Sequence, residues 1–255
     1  MEQELNLKQF TFTAPSGHEY TIREQNGADD DILSNAKEAA TLMNLSRFIA
    51  SLVLHTTATS TGKLTAEQAH KLPTLDRYCI LLQSRIFSMG NIVEFSHDWG
   101  NQGGVIDYEE DLEELLFEYS KTPTPEELEA KPNAIPYYPY RDQTKDIIVD
   151  LASGKQISFD LSTGESESYL ISLPEDQRTR NSELKARNLK LNVDGKWERV
   201  QSFHLFSLKD MAEIRKAIYA HDPVWNGLID ITNGNGLGAQ VSILGVPSFF
   251  YPEEI

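Results

Sequence analysis

Residues 8–13 and 19–24 alternate apolar with polar side chains on either side of Pro15-Ser16-Gly17, and Asn26-Gly27 follows. Period-two alternation about such a turn predicts a β-hairpin. Asp29-Asp30-Asp31 then offers N-cap and first-turn carboxylates to a helix carrying Ile32 and Leu33, at the end of the dipole where negative charge is favourable. Over 40–54 the apolar residues Leu42, Leu45, Phe48, Ile49 and Leu52 recur at helical spacing, and the β-branched and turn residues of 56–62 interrupt them. A buried helix is predicted over 75–89, with Tyr78, Ile80, Leu81, Leu82, Ile86 and Phe87, ending at Gly90-Asn91. Strands over 92–95 and 105–108 bracket a glycine-rich turn, and an acidic amphipathic helix over 107–119 closes the first half.

The second half repeats this order. Residues 146–151 and 156–161 alternate around Ser153-Gly154, with Thr163-Gly164 following, 137 residues after the first hairpin and its trailing Asn-Gly. The helix predicted from Ser207-Leu208-Lys209-Asp210 through Met211, Ile214, Ile218 and Tyr219 stands 134 residues after the central helix of the first half. The turn 235–238 stands at the same 134-residue offset from the turn 101–104. Order and spacing are kept at four landmarks, which predicts two similar halves, with Tyr20 and Ile22 in places analogous to Ile157 and Phe159. Between them, five prolines in the 19 residues 121–139 cannot propagate a helix and read as an extended linker. The expected fold class is α+β: an N-terminal half over 1–120, a Pro/Tyr-rich linker over 121–143 and a C-terminal half over 144–255.

Composition narrows the function. Of 255 residues 39 are acidic and 23 basic, a formal charge of −16, which argues against an electrostatic nucleic-acid binder. No apolar run approaches the roughly 20 residues of a membrane span. The first twelve residues have no basic segment leading into an apolar core, so a cytoplasmic protein is expected. One cysteine, Cys79, excludes an internal disulfide and a cysteine-rich zinc site, and its place in an apolar helix reads as core. His18, His55, His70, His97, His204 and His221 show no metal-site spacing. His97-Asp98 has the makings of a base with its orienter, or serves structure alone. Asn233-Gly234-Asn235-Gly236-Leu237-Gly238 has the glycines of a phosphate cradle, yet alternating residues follow it where a helix would be needed, so it reads as a hairpin turn. The carboxylates of 107–119 form either a solvated face or a dock for a basic partner. Tyr137, Tyr138 and Tyr140 in the linker, and Phe249, Phe250 and Tyr251 between Pro247 and Pro252, read as extended aromatic anchors for their own domain or for another protein. In such an extended tail Phe250 is expected to point inward, with Phe249 or Tyr251 outward.

Several stretches resemble one family. Arg187-Asn188-Leu189, the run Gly195 to Val200, the run Phe206 to Arg215, Asp222-Pro223 and the closing Pro247 to Pro252 look like the baseplate hub assembly proteins, also called tail assembly chaperones, of T-even-like contractile-tailed bacteriophages. Phe12 to Gly27 with Asp30-Asp31-Ile32-Leu33-Ser34, and Asp76-Arg77-Tyr78 through Gly90, resemble the family's N-terminal hairpin and central helix, so the likeness spans nearly the whole chain. Many members carry zinc-knuckle cysteine pairs after each central helix. Here 96–101 and 231–236 hold none, and no zinc is expected. The resemblance implies a non-enzymatic protein without cofactor that binds hub or tape-measure proteins, in the host cytoplasm during assembly or in the baseplate of the virion. The alternatives are a hydrolase using His97 and Asp98, and an acidic regulatory module that binds a basic surface.

Overall fold

The computed structural model describes residues 8–120, 147–222 and 227–251. It is an α+β chain in which every sheet is antiparallel. Strands β1 (Gln9–Thr13) and β2 (Glu19–Arg23) form the first hairpin, with Phe12 opposite Tyr20 and Phe10 opposite Ile22. Helix α1 (Gly27–Leu33) follows. Its cap is Asn26 rather than an aspartate: the Asn26 side chain accepts from the Ala28 N–H, and the Asp29 carboxylate takes the Asn26 N–H in return. Asp29 is thus in the first turn, where its charge also pairs with Arg23 at 2.7 Å.

Helices α2 (Ala36–Ala39) and α3 (Met43–Leu52) bury Phe48, Ile49 and Leu52, and the chain then extends as β3 (Val53–Thr56). The helix expected over 40–54 is therefore shorter at both ends. Leu42 lies in the left-handed region at φ 55°, and Val53 and Thr56 are taken by pairing with β2, which gives the order β1-β2-β3. Helices α4 (Ala66–Lys71) and α5 (Thr74–Met89) lead to β4 (Ile92–Asp98) and β5 (Val105–Asp111), then α6 (Leu112–Ser120). The acidic helix expected from residue 107 begins five residues later. From Val105 to Glu109 exposed and half-buried residues alternate, and this period of two makes them a strand facing β4.

The second half runs β6 (Ile147–Asp150), β7 (Gln156–Phe159), α7 (Gly164–Ser172), α8 (Arg180–Ala186), β8 (Lys190–Val193), β9 (Lys196–Arg199), α9 (Leu208–His221), β10 (Leu228–Thr232), β11 (Gly238–Ser242) and α10 (Pro247–Phe250). Its larger sheet has the order β6-β7-β8-β9, so the shared three strands keep the order of the first half and one strand is added. The repetition extends to single hydrogen bonds. The Ala14 N–H donates to the His18 carbonyl at 2.9 Å, and the Leu151 N–H to the Lys155 carbonyl at 2.8 Å. Gly17 and Gly154 close these turns at φ 88° and 83°, a conformation that favours glycine. The Gln25 N–H is held by the Ser88 hydroxyl, and its counterpart, the Ser162 N–H, by the Asp222 carboxylate. Tyr20, Ile22, Ile157 and Phe159 are all buried, as their analogous places require.

Two apolar cores result, and the chain does not divide them at its middle. Ile147, Ile157, Phe159, Leu184, Leu189, Met211, Ile214 and Ile218 make one. The other holds Tyr20, Ile22, Phe48, Leu52, Ile80 and Leu82, together with Ile229, Ile231, Ile243, Val246 and Phe249 from the far end of the sequence. The last hairpin and tail are an arm folded onto the first half.

Candidate functional site

A cluster of buried and half-buried ionisable side chains lies at the seam, where α7 and the residues before it meet α4 and α5. The Thr74 N–H donates to the Ser162 carbonyl at 2.8 Å, and Pro73 bridges Thr163. Arg77 is only 2 % exposed; its Nη1 donates to the Ala69 carbonyl at 2.8 Å and the Ser46 hydroxyl at 3.0 Å, and its Nε stands 3.8 Å from Glu167. Tyr78 donates to the other Glu167 oxygen at 2.8 Å. The His70 ring is hydrogen-bonded to Ser46 through Nδ1 and to Ser168 through Nε2. Gly164 is glycine for a steric reason: a Cβ there would come within 2.8 Å of the Arg77 guanidinium and the His70 ring.

Burial lowers the Arg77 and His70 pKa values, with the Arg77 charge as a second cause at His70. Burial raises that of Glu167, against the pull of Arg77. Each of these groups is engaged with a neighbour across the seam. The cluster ties the two halves together, since separating a buried pair strands its partner. Sequence reasoning missed it because the partners lie some 90 residues apart, although the offset between the halves already matched Asp76 with Asp210.

The residues singled out in the sequence are scattered over the molecule. Cys79 is buried, and burial raises its thiol pKa, with Asp76 adding to the effect. His97 packs edge-on against Trp99 with ring centroids 4.8 Å apart, while Asp98 accepts the Gly100 N–H at 2.8 Å and closes the turn. As neighbours on β4 the two side chains point to opposite faces. The glycine-rich loop is the β10–β11 turn: Asn233 accepts from the N–H groups of Asn235 and Leu237, and Gly236 takes φ 78°. It ties the tips of the two hairpins together, because Asn233 and Asn235 both donate to the Gln102 carbonyl and Tyr108 donates to that of Thr232. Among the described residues no group of three or more His, Cys, Asp or Glu is placed to hold a metal, and no helix is long and apolar enough to cross a membrane.

Tyr137, Tyr138 and Tyr140 lie outside the described residues. The other aromatic segment is a helical turn instead of an extended anchor, because Pro247 occupies N1, where its fixed φ suits a helix. Adjacent residues then do not alternate sides. Phe249 is the inward residue at 1 % exposure, Phe250 is half-buried with its edge toward Phe48, and Tyr251 is 42 % exposed. Of the two residues expected outward, Tyr251 is the exposed one, and the fully buried residue is Phe249 rather than the expected Phe250, which is only half-buried.

Among the described residues, two exposed surfaces bear on function. On the outer face of β4–β5, Glu94 stands opposite Glu109 and Ser96 opposite Asp107. With Phe95 and Tyr108 they line a concavity of about 560 Å³. Ile92 and Val105 stand exposed at the two ends of this face. Like charges directly opposite on a sheet are unfavourable, so Glu94 and Glu109 are not there for stability. The second surface is the outer side of α9, where Leu208 is 90 % and Tyr219 54 % exposed, with Leu205 beside them and Lys209 and Lys216 between. The spacing of Leu205, Leu208, Ala212 and Tyr219 was legible as a second apolar stripe beside Met211, Ile214 and Ile218. No protein-family model, curated protein or solved structure matches the chain.

Proposed function

We propose that this chain is a non-enzymatic baseplate hub protein or tail assembly chaperone of a contractile-tailed bacteriophage, acting in the host cytoplasm by binding other tail proteins, hub or tape-measure segments among them. The resemblance of the segments around Arg187, Gly195 to Val200, Phe206 to Arg215 and Pro247 to Pro252 supports the phage assignment. The observation that carries the binding role is the concave outer face of β4–β5, with Glu94, Asp107 and Glu109 held together at a cost in repulsion and Ile92 and Val105 exposed at its ends. A basic tail-protein segment with an apolar anchor relieves that repulsion and covers both aliphatic side chains.

The test is cross-linking of the tagged chain in infected cells, followed by mass spectrometry. Hub or tape-measure proteins linked to 92–111, and lost when Glu94→Lys is combined with Glu109→Lys, are the expected result. Tails that assemble normally without the chain, with no tail protein linked to it, would contradict the proposal.

A further inference from the structure

The two halves differ in what covers their central helices. On α5 the first-turn residue Thr74 is covered by Ser162, through hydrogen bonds of 2.8 and 3.0 Å. One turn on, Tyr78 meets Glu167, and His70 beside them meets Ser168. The cover is therefore the segment 162–168 of the second half. At the 134-residue offset, Thr74, Tyr78 and His70 correspond to Leu208, Ala212 and His204, all exposed. At the 137-residue offset, the covering residues Ser162, Glu167 and Ser168 correspond to Gln25, Asp30 and Asp31, of which both aspartates are exposed.

One half therefore shows an occupied acceptor face, and among the described residues nothing covers the same face on the other half. In the matching donor segment, 25–31, Gln25 is bonded to Ser84 and Ser88 and Asp29 to Arg23 and Ser51 within the first half, while Ala28, Asp30 and Asp31 are exposed. We infer that the outer face of α9 is a docking site for the Gln25–Asp31 segment of a second copy of this chain, repeating between molecules the contact that joins the halves within one. The chemistry is complementary. Lys209 and Lys216 face solvent on α9, Asp30 and Asp31 face solvent on α1, and the equivalent of the His70–Ser168 pair becomes an imidazole opposite the Asp31 carboxylate. Leu205 and Leu208, which replace Lys71 and Thr74, come to lie against Ala28 and the Gln25 chain. Such a contact is heterologous: donor and acceptor are different patches, so each molecule offers one of each and copies join head to tail.

Sedimentation velocity over a range of loading concentrations reads this directly. The wild-type chain is expected to rise above its 28.8 kDa monomer mass as concentration increases, and to fall back toward it in high salt. Leu208→Asp, at a side chain already in solvent, disables the acceptor, and Asp30→Lys with Asp31→Lys disables the donor, so each protein alone stays monomeric. Their equimolar mixture retains one working interface and is expected to stop at the dimer. A wild-type chain that stays monomeric throughout overturns the inference. Variants that associate like wild type, or a mixture that stays monomeric or grows past the dimer, overturn it equally.

Discussion

Asp76 and Asp210 occupy the same place in the two halves, in the first turn of the central helix beneath the turn of the hairpin, yet their surroundings differ. Asp76 accepts the Ser16 N–H at 3.0 Å, the Ser16 hydroxyl, and the Tyr20 hydroxyl at 3.0 Å, and burial drives its pKa up. Asp210 instead accepts from Lys155 at 2.8 Å, and that bond, with help from Ser153 and Ser207, holds its pKa below the ordinary range. His18, the counterpart of Lys155, stands near Asp76 without replacing such a cation. The first half, closed over by α7 and by the C-terminal arm, satisfies its carboxylate with neutral donors. The second half, open along α9, uses a half-exposed lysine. One repeated framework thus supports a closed core and an open one, and the difference lies in what the rest of the chain lays over each.

The largest effect expected from breaking this comparison is at the closed side. Arg77→Ala removes the guanidinium joining Ala69, Ser46 and Glu167, and should cost about 3–5 kcal/mol in chemical denaturation, as removal of one buried charged partner does. Next comes the pair itself. Asp76→Ala strands the buried Ser16 and Tyr20 donors and should cost about 3 kcal/mol, whereas Asp210→Ala should lower the thermal midpoint by a smaller amount.

The pH dependence sharpens the contrast further. A carboxyl whose folded pKa is raised favours the fold most in acid, and its contribution falls as pH climbs from the ordinary carboxylate range toward the raised value; a lowered one stabilises above that range and loses its contribution as pH drops through it. The stability gap between wild type and Asp76→Asn should therefore widen on acidification, while the gap between wild type and Asp210→Asn should close, both read as thermal midpoints against pH. The smallest effect is at the tail, where Tyr251→Ala should change stability by no more than about 0.5 kcal/mol, since Tyr251 is exposed at the end of the helical turn.

Much of this framework was legible in the sequence. The hairpin turns at Ser16-Gly17 and Ser153-Gly154, the cap at Ser207 and the two offsets follow from local chemistry, which acts within a few residues. Three misreadings share a cause. The aromatics after Pro247 read as an extended anchor although Pro247 starts a helical turn, Asp107 to Asp111 read as part of the acidic helix although they pair with β4, and the alternation of an extended segment makes Phe250 the inward residue where the helical turn buries Phe249 fully. Each involves a residue type compatible with two conformations: Pro247 at N1 starts the tail's helical turn, which packs on Phe48, and the acidic run is decided by a distant partner, β4. The seam of Arg77, Glu167, His70 and Ser168 is wholly of this kind, and no window along the chain contains it. The placement of the arm is equally non-local, because an alternating hairpin such as 228–242 packs on whichever apolar face is free.

That placement can be tested most directly by hydrogen exchange on the full chain carrying Phe249→Ala. Phe249 belongs to the second repeat by sequence and to the first core by packing. A phenylalanine lost from a core costs about 3–5 kcal/mol, so amides of Ile80, Leu82 and Val93 should lose protection by that order while those of Ile157, Phe159 and Ile214 keep most of theirs. Protection lost first, or equally, from 147–222 would contradict an arm folded onto the first half.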